Sequence, residues 1–238
     1  MSGFHRRAFS TVASGAKPSA QDFLRTRAQV HAALPAGALA AQHYVVFDLE
    51  STGLDPTGGD ATLSIGAVRL RNAAPVARFS TLVDPCRAIP AESIRFHGIT
   101  EAMARGQPRA AEAIAGFLDF IGDDVLVAHN AAFDRTLLLM EEYRGAPAVR
   151  NPILCSVALS RWLDPDEPDH SLDGLCGRAG ILIAGRHQAL GDAEATASLW
   201  AHLLARAAAR GVDDLQDLAQ RSRMQISMSA LAGDGIGP

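Results

Sequence analysis

Asp48 and Glu50 sit two residues apart at the end of the apolar run Tyr44-Val45-Val46-Phe47. On a strand, residues i and i+2 point to the same face. The sequence therefore sets two carboxylates side by side next to a buried strand, where they repel each other and are costly to desolvate. A divalent cation resolves that cost, and so does a strand end whose acids reach solvent. Asp134 follows His129-Asn130 in a stretch of small and apolar residues. It reads either as an acid favoured by a helix N-terminus or as a site residue aimed across the sheet edge. Asp192 comes five residues after His187 and opens a long helix, with Gly191 beside it letting another group approach closely. A favourable first-turn acid is again the alternative. Asp173 and Glu194 fit that plainer reading better.

Taken together, four acids and a histidine contain what two-metal phosphodiester hydrolysis requires. Hard cations such as Mg²⁺ take oxygen ligands and keep several waters. A pair about 3.5–4 Å apart clamps the attacking and leaving oxygens. A histidine beside the attacking water can accept its proton. An all-carboxylate set suits Mg²⁺ or Mn²⁺, two per site, rather than structural zinc. His5, His31, His43 and His202 read as ordinary surface or core residues, and Cys86, Cys155 and Cys176 as reduced thiols without metal-site spacing.

These residues need a scaffold. The pattern predicts a helix over residues 20–34, stopped by Pro35 and Gly37. Strands follow at 44–47, 63–70 and 77–83, joined by short turns as an antiparallel meander. From residue 100 the period changes to a helical turn at 100–105, a helix over 108–121, a buried strand at 125–128 and a helix over 131–143. A short strand at 153–157 runs into a helix through Trp162. Then come a helix over 171–179 with Ser171 as N-cap, a long helix over 189–209 and a short one over 212–223. The order β-β-β-α-β-α-β-α-α predicts an α/β fold, a mixed sheet flanked by helices. We divide the chain into an N-terminal extension (1–40), a catalytic unit (41–210) and a C-terminal tail (211–238).

The bulk numbers exclude little but are consistent. With 238 residues the chain holds one sizeable domain plus tails. The net charge of −4 rules out a strongly basic nucleic-acid coat, and Lys17 is the only lysine among 22 basic residues. No apolar run reaches the roughly 18 residues needed to span a membrane. Residues 1–20 carry Arg and Ser but no acid. They read as a loose leader of a cytoplasmic bacterial protein, with a mitochondrial transit peptide as the alternative.

Motifs raise the specificity. The blocks are Phe47-Asp48-Leu49-Glu50-Ser51-Thr52-Gly53-Leu54-Asp55, Phe96-His97-Gly98-Ile99-Thr100, Val127-Ala128-His129-Asn130-Ala131-Ala132-Phe133-Asp134 and His187-Gln188-Ala189-Leu190-Gly191-Asp192-Ala193. In order and spacing they resemble the histidine subclass of DEDD 3′→5′ exonucleases, whose type member is the proofreading epsilon subunit of bacterial DNA polymerase III. The resemblance covers roughly residues 43–205. It implies a ribonuclease H-like fold with a five-stranded sheet, Asp48, Glu50, Asp134 and Asp192 as metal ligands, and His187 as general base. It also implies that Glu92 and His97 lie near the substrate end, and that backbone around Thr52, Gly53 and Leu54 lines the terminal nucleotide's pocket. Leu49 and Ser51 depart from epsilon-type members, and Leu49 is more typical of the oligoribonuclease branch. The expected partner is a nucleic acid 3′ end, single-stranded DNA in preference, with RNA or short oligonucleotides as the alternative and a catalytically inactive binding module as a third reading. The tail segment Gln225-Ile226-Ser227-Met228-Ser229-Ala230-Leu231 resembles the peptide by which epsilon-type subunits dock on the sliding clamp, with Gln225, Met228 and Leu231 as its anchors.

Overall fold

The apolar run that carries the first two acids forms strand β1 (His43–Ser51), and four more strands pair outward from it. These are β2 (Thr62–Arg71), β3 (Ala74–Leu82), β4 (Val125–Ala128) and β5 (Ile153–Cys155), in the order β3-β2-β1-β4-β5. The first three strands are antiparallel, as expected, while β4 and β5 run parallel to β1. The computed structural model describes residues 17–28 and 33–223. Asn72 and Ala73 join β2 to β3 with φ of 50° and 59°, the left-handed pair that a two-residue hairpin turn requires.

Alternation along β1 divides the core. Tyr44 and Val46 face a cluster built with α6 (Ser156–Leu163), α7 (Leu172–Ala179), α8 (Ala189–Ala209) and α9 (Leu215–Ser222). Val45, Phe47 and Leu49 face a second cluster built with α4 (Ala110–Ile121) and α5 (Ala132–Arg144). Each layer has an aromatic anchor. Trp200 meets Tyr44 edge-on at 5.6 Å, and Phe117 meets Phe47 at 5.6 Å. Burying side chains of this kind contributes about 1.5–3 kcal/mol each. The same period sends Asp48 and Glu50 toward the α8 side, continuing the Tyr44–Val46 row beyond the apolar core.

Several boundaries differ from the sequence reading. Helix α1 covers Ala20–Ala28 and docks on α5 through Phe23 and Tyr143, ring centroids 5.4 Å apart, and the Arg27–Glu142 ion pair. Residues 29–32 of the expected helix lie outside the described residues. Strand β3 starts at residue 74 rather than 77, because the tight turn pairs Ala74 with Arg71. Strand β5 stops at Cys155, and Ser156 already begins α6. Helix α9 starts at Leu215 rather than 212, because Asp214 caps it by accepting from the amides of Gln216 and Asp217. Helix α3 (Glu101–Ala104) is the expected turn, capped by Thr100, and Ser171 caps α7 through the Gly174 amide. Helix α2 (Ala91–His97) was not expected. Its Ile94 and Phe96 are two apart and form no helical stripe, and Phe96 points away from the core, 62% exposed. Among the described residues no helix is long and apolar enough to cross a membrane.

Candidate active site

The expected acids converge where β1 leaves the apolar core. One carboxylate oxygen from each of Asp48, Glu50 and Asp192 lies within 4.8 Å of the others. The β1–β2 register shifts between Glu50 and Ser51, an irregularity of the kind that re-aims side chains beside functional sites. Asp134, in the first turn of α5, reaches in from the opposite face of the sheet, and its Oδ1 accepts from the Leu49 amide at 3.2 Å. Asp192 comes from the first turn of α8, so the two helix N-termini aim acids at β1 from opposite layers. Asn130 and His187, just ahead of those helices, have φ of 56° and 61°. The left-handed backbone costs a non-glycine residue about 1–2 kcal/mol, and Asn tolerates it better than most.

Burial and mutual repulsion dominate the electrostatics. Burial, then the charges of Asp134, Glu50 and Asp192, holds Asp48 well above the usual carboxylate range. Burial, then Asp192, pushes Glu50 up to about 7. Asp134 is pushed up to about 7 by burial, against the hydrogen bond from the Leu49 amide. Asp192 is raised by burial, which Arg186 and the His187 amide oppose. Three raised acids around Asp48 mark a place where a second positive charge is wanted. The chemistry of the donors fits a hard divalent cation. All are carboxylates, and Asp192 Oδ1 is buried without a hydrogen-bond partner.

The histidine and the substrate-side residues fall into place unevenly. The His187 amide donates to Asp192 Oδ2 at 3.1 Å, and its ring lies against Phe96 with centroids 3.9 Å apart. His97 ends α2, buried, with Nδ1 accepting from the Ile99 amide, and burial lowers its pKa. Thr52 is buried and donates to Asp60 at 2.8 Å, while its carbonyl accepts from Ser93 at 2.7 Å. The Gly53 carbonyl accepts from Ser51 Oγ, and the Leu54 side chain is 79% exposed. Glu92 is exposed and pairs with Arg95, and it is not among the converging carboxylates. His129 contacts Ser156 at 2.9 Å, and burial lowers it to about 4, so it is a neutral packing residue at working pH.

Two residues that assemble the site were missed in the sequence. Gly66 pairs with Asp48 across β1–β2, and a Cβ there would stand 2.2 Å from the backbone of Ala189 and Leu190. Only a glycine lets the start of α8 lie this close to the sheet. Gly191, singled out in the sequence for close approach, plays the matching part, since its Cβ would meet the carbonyls of Gly185 and Ala184 at 2.3 and 2.4 Å. Arg186 is the other omission, donating to Asp192 Oδ2 at 2.6 Å. Asking what neutralises four clustered acids would have pointed to the basic residue adjoining His187.

A mixed five-stranded sheet with carboxylates gathered at the end of its central strand is a ribonuclease H-like architecture. Residues 45–200 match the exonuclease (RNase T) family, and the chain belongs to it. A DNA polymerase III subunit epsilon-like protein of Rhodobacter capsulatus is 44% identical over 195 residues, covering 79% of this chain and 28% of that protein. The PolC-type DNA polymerase III of Bacillus subtilis is 35% identical over 176 residues, 73% of this chain and 12% of that protein. The chain thus spans less than a third of the length of these relatives. Among solved structures, Exonuclease X in complex with 5′ overhanging duplex DNA has a TM-score of 0.61 at 25% identity, covering 75% of this chain and 99% of that one. The nuclease domain of 3′hExo, a DEDDh family member, has a TM-score of 0.62 at 15% identity, covering 71% and 94%. That last likeness bears on the fold alone.

Proposed function

We propose that the chain is a metal-dependent 3′→5′ exonuclease acting on DNA, in proofreading or repair, with residues 41–210 as its catalytic unit. The observation that carries this reading is the convergence of Asp48, Glu50 and Asp192, with an unpartnered Asp192 oxygen, in a member of the exonuclease family. Asp48, Glu50, Asp134 and Asp192 would hold two cations, Mg²⁺ or Mn²⁺. When bound, the cations supply Lewis acidity at the scissile phosphate and offset charge on the attacking and leaving oxygens. His187 accepts the proton of the attacking water. Water adds to phosphorus, the P–O3′ bond breaks, the leaving O3′ takes a proton from solvent, and a nucleoside 5′-monophosphate leaves a shortened strand with a new 3′-hydroxyl. Backbone at Thr52, Gly53 and Leu54, with Glu92 and His97, is our assignment for the border of the terminal nucleotide.

The names of the polymerase III relatives and the DNA in the Exonuclease X complex support DNA as substrate. Strands labelled at either end test this directly. Single-stranded DNA should yield mononucleotides from its 3′ label at once and a descending ladder from its 5′ label. Release from the 5′ end, or cutting of RNA and dinucleotides in preference to DNA, would overturn it. A DNA polymerase III assembly is the partner these relatives favour. Gln225, Met228 and Leu231 lie outside the described residues, and we keep them as the clamp-docking segment. A peptide spanning residues 222–233 should bind purified clamp at micromolar concentration. No saturable binding at hundreds of micromolar would remove that idea.

A further inference from the structure

Arg186 lies in the segment between α7 and α8, and its guanidinium spans two acids of opposite exposure. Nη1 donates to Asp192 Oδ2 at 2.6 Å, while Nε pairs with Asp173 Oδ2 at 3.0 Å. The Asp192 side chain is 5% exposed and that of Asp173 is 63% exposed. The same Nη1 stands 3.3 Å from His187 Nδ1. A guanidinium offers donors only, so in this contact His187 Nδ1 is the acceptor and the neutral ring carries its proton on Nε2. One nitrogen therefore covers a carboxylate oxygen of the acid cluster and the imidazole lone pair that a proton acceptor needs.

We propose that Arg186 is the internal counter-cation of the metal-free site, occupying Asp192 and His187 Nδ1 until a divalent cation displaces it, with Asp173 holding it afterwards. The inference rests on the metal-dependent reading above. The charge logic is direct. Asp48, Glu50 and Asp192 crowd one place, and Arg186 favours the ionised form of each. A divalent cation on Asp192 Oδ1 and a guanidinium on Oδ2 repel across one carboxylate, so each weakens the other's hold. Asp173 makes exchange easier, because Arg186 can surrender Nη1 and keep its Nε pairing on the solvent side. Loading the metal then uncovers the His187 nitrogen in the same movement, so Arg186 acts as a positioning residue for that ring.

The test is calorimetric titration of Mn²⁺ into the full chain after chelator and dialysis, with melting curves in EDTA and in saturating Mn²⁺. Arg186→Gln should bind Mn²⁺ about tenfold tighter than wild type. It should melt at a lower temperature in EDTA, with the gap closing in Mn²⁺. Asp173→Asn should weaken Mn²⁺ binding about threefold in the wild-type background, because Arg186 loses its alternative partner. The same change should do nothing in the Arg186→Gln background, a cycle that isolates the coupling. If Arg186→Gln fails to fold, Arg186→Lys serves instead. Lysine keeps the charge but cannot fork between two acids, so the Asp173→Asn effect should still vanish. Binding unchanged or weaker in Arg186→Gln, or an Asp173→Asn effect that persists in either Arg186 variant, overturns the counter-cation. Wild type that binds no Mn²⁺ at millimolar concentration overturns the metal reading itself.

Discussion

Glu50→Gln tests whether the carboxylate cluster is held together against its own charge. Glu50 is 8% exposed and its pKa rises from 4.5 to about 7 in the folded chain. Below pH 4.5 both folded and unfolded chains hold the proton and the group is neutral in its effect. Between 4.5 and 7 the unfolded chain releases the proton while the folded chain keeps it, so metal-free stability falls as pH rises. Above 7 the loss is complete. At 1.36 kcal/mol per unit, the full shift is worth on the order of 3 kcal/mol. Glutamine has nearly the same shape and cannot ionise, so the variant should lack this slope. For a chain of this size the difference at pH 8 corresponds to a rise of roughly 6–12 °C in melting temperature. The assay is thermal or urea unfolding in EDTA at closely spaced pH values from 4 to 8. If the variant is no more stable than wild type at pH 8, or retains the full slope, Glu50 is not a strained acid and the electrostatic account of the site is wrong.

Three other outcomes are expected. Chelation by EDTA should abolish hydrolysis and Mg²⁺ or Mn²⁺ should restore it; because Glu50 and Asp134 sit near 7 without metal, Mn²⁺ affinity should rise about tenfold per linked carboxyl from pH 6 to 8, and pH-independent binding would contradict those shifts. Gly66→Ala should stay folded but lose activity by about 10²-fold, because its Cβ would drive the Ala189–Leu190 backbone and with it Asp192 out of place, and a displacement near 1 Å is enough for that loss; unchanged turnover would show that α8 does not need the close approach. His187→Ala should lower single-turnover rate by about 10²–10⁴-fold with substrate affinity, read by fluorescence anisotropy, largely kept; equal losses in both would make His187 a binding residue.

The sheet and the acids on it were legible because strand periodicity is local. A run of β-formers followed by Asp48 and Glu50 states both the strand and the shared face. The acids' convergence needed more than periodicity. Asp134 and Asp192 come from opposite layers, and a favourable first-turn acid looks the same in sequence whether it meets a metal or solvent. The order and spacing of the motif blocks together resolved that ambiguity. Arg186 stayed hidden because a single arginine beside a histidine carries no pattern, and Gly66 because a glycine inside a strand does not say what approaches it. Helix α2 escaped for a related reason. Its exposed Phe96 lies against His187 rather than in the core, so the residue that would have signalled a buried helical face is turned toward the site.

The distribution of the four acids has a consequence for how the site depends on the fold. Asp48 and Glu50 belong to the central strand, Asp134 to the α5 layer and Asp192 to the α8 layer. Each layer is held by its own apolar cluster, and neither cluster contains the acids. Hydrophobic burial therefore brings the layers onto the sheet, while the acids oppose the last few ångströms of approach. Gly66 and Gly191 remove the steric barrier at that point, and Arg186 removes part of the electrostatic one. A divalent cation ligated by acids of β1, α5 and α8 would link both layers through the strand between them. Arg186 places positive charge at the same point, on the Asp192 carboxylate. Without positive charge there, repulsion of Asp192 by Asp48 and Glu50 would favour lifting of the N-terminal turn of α8 from the sheet.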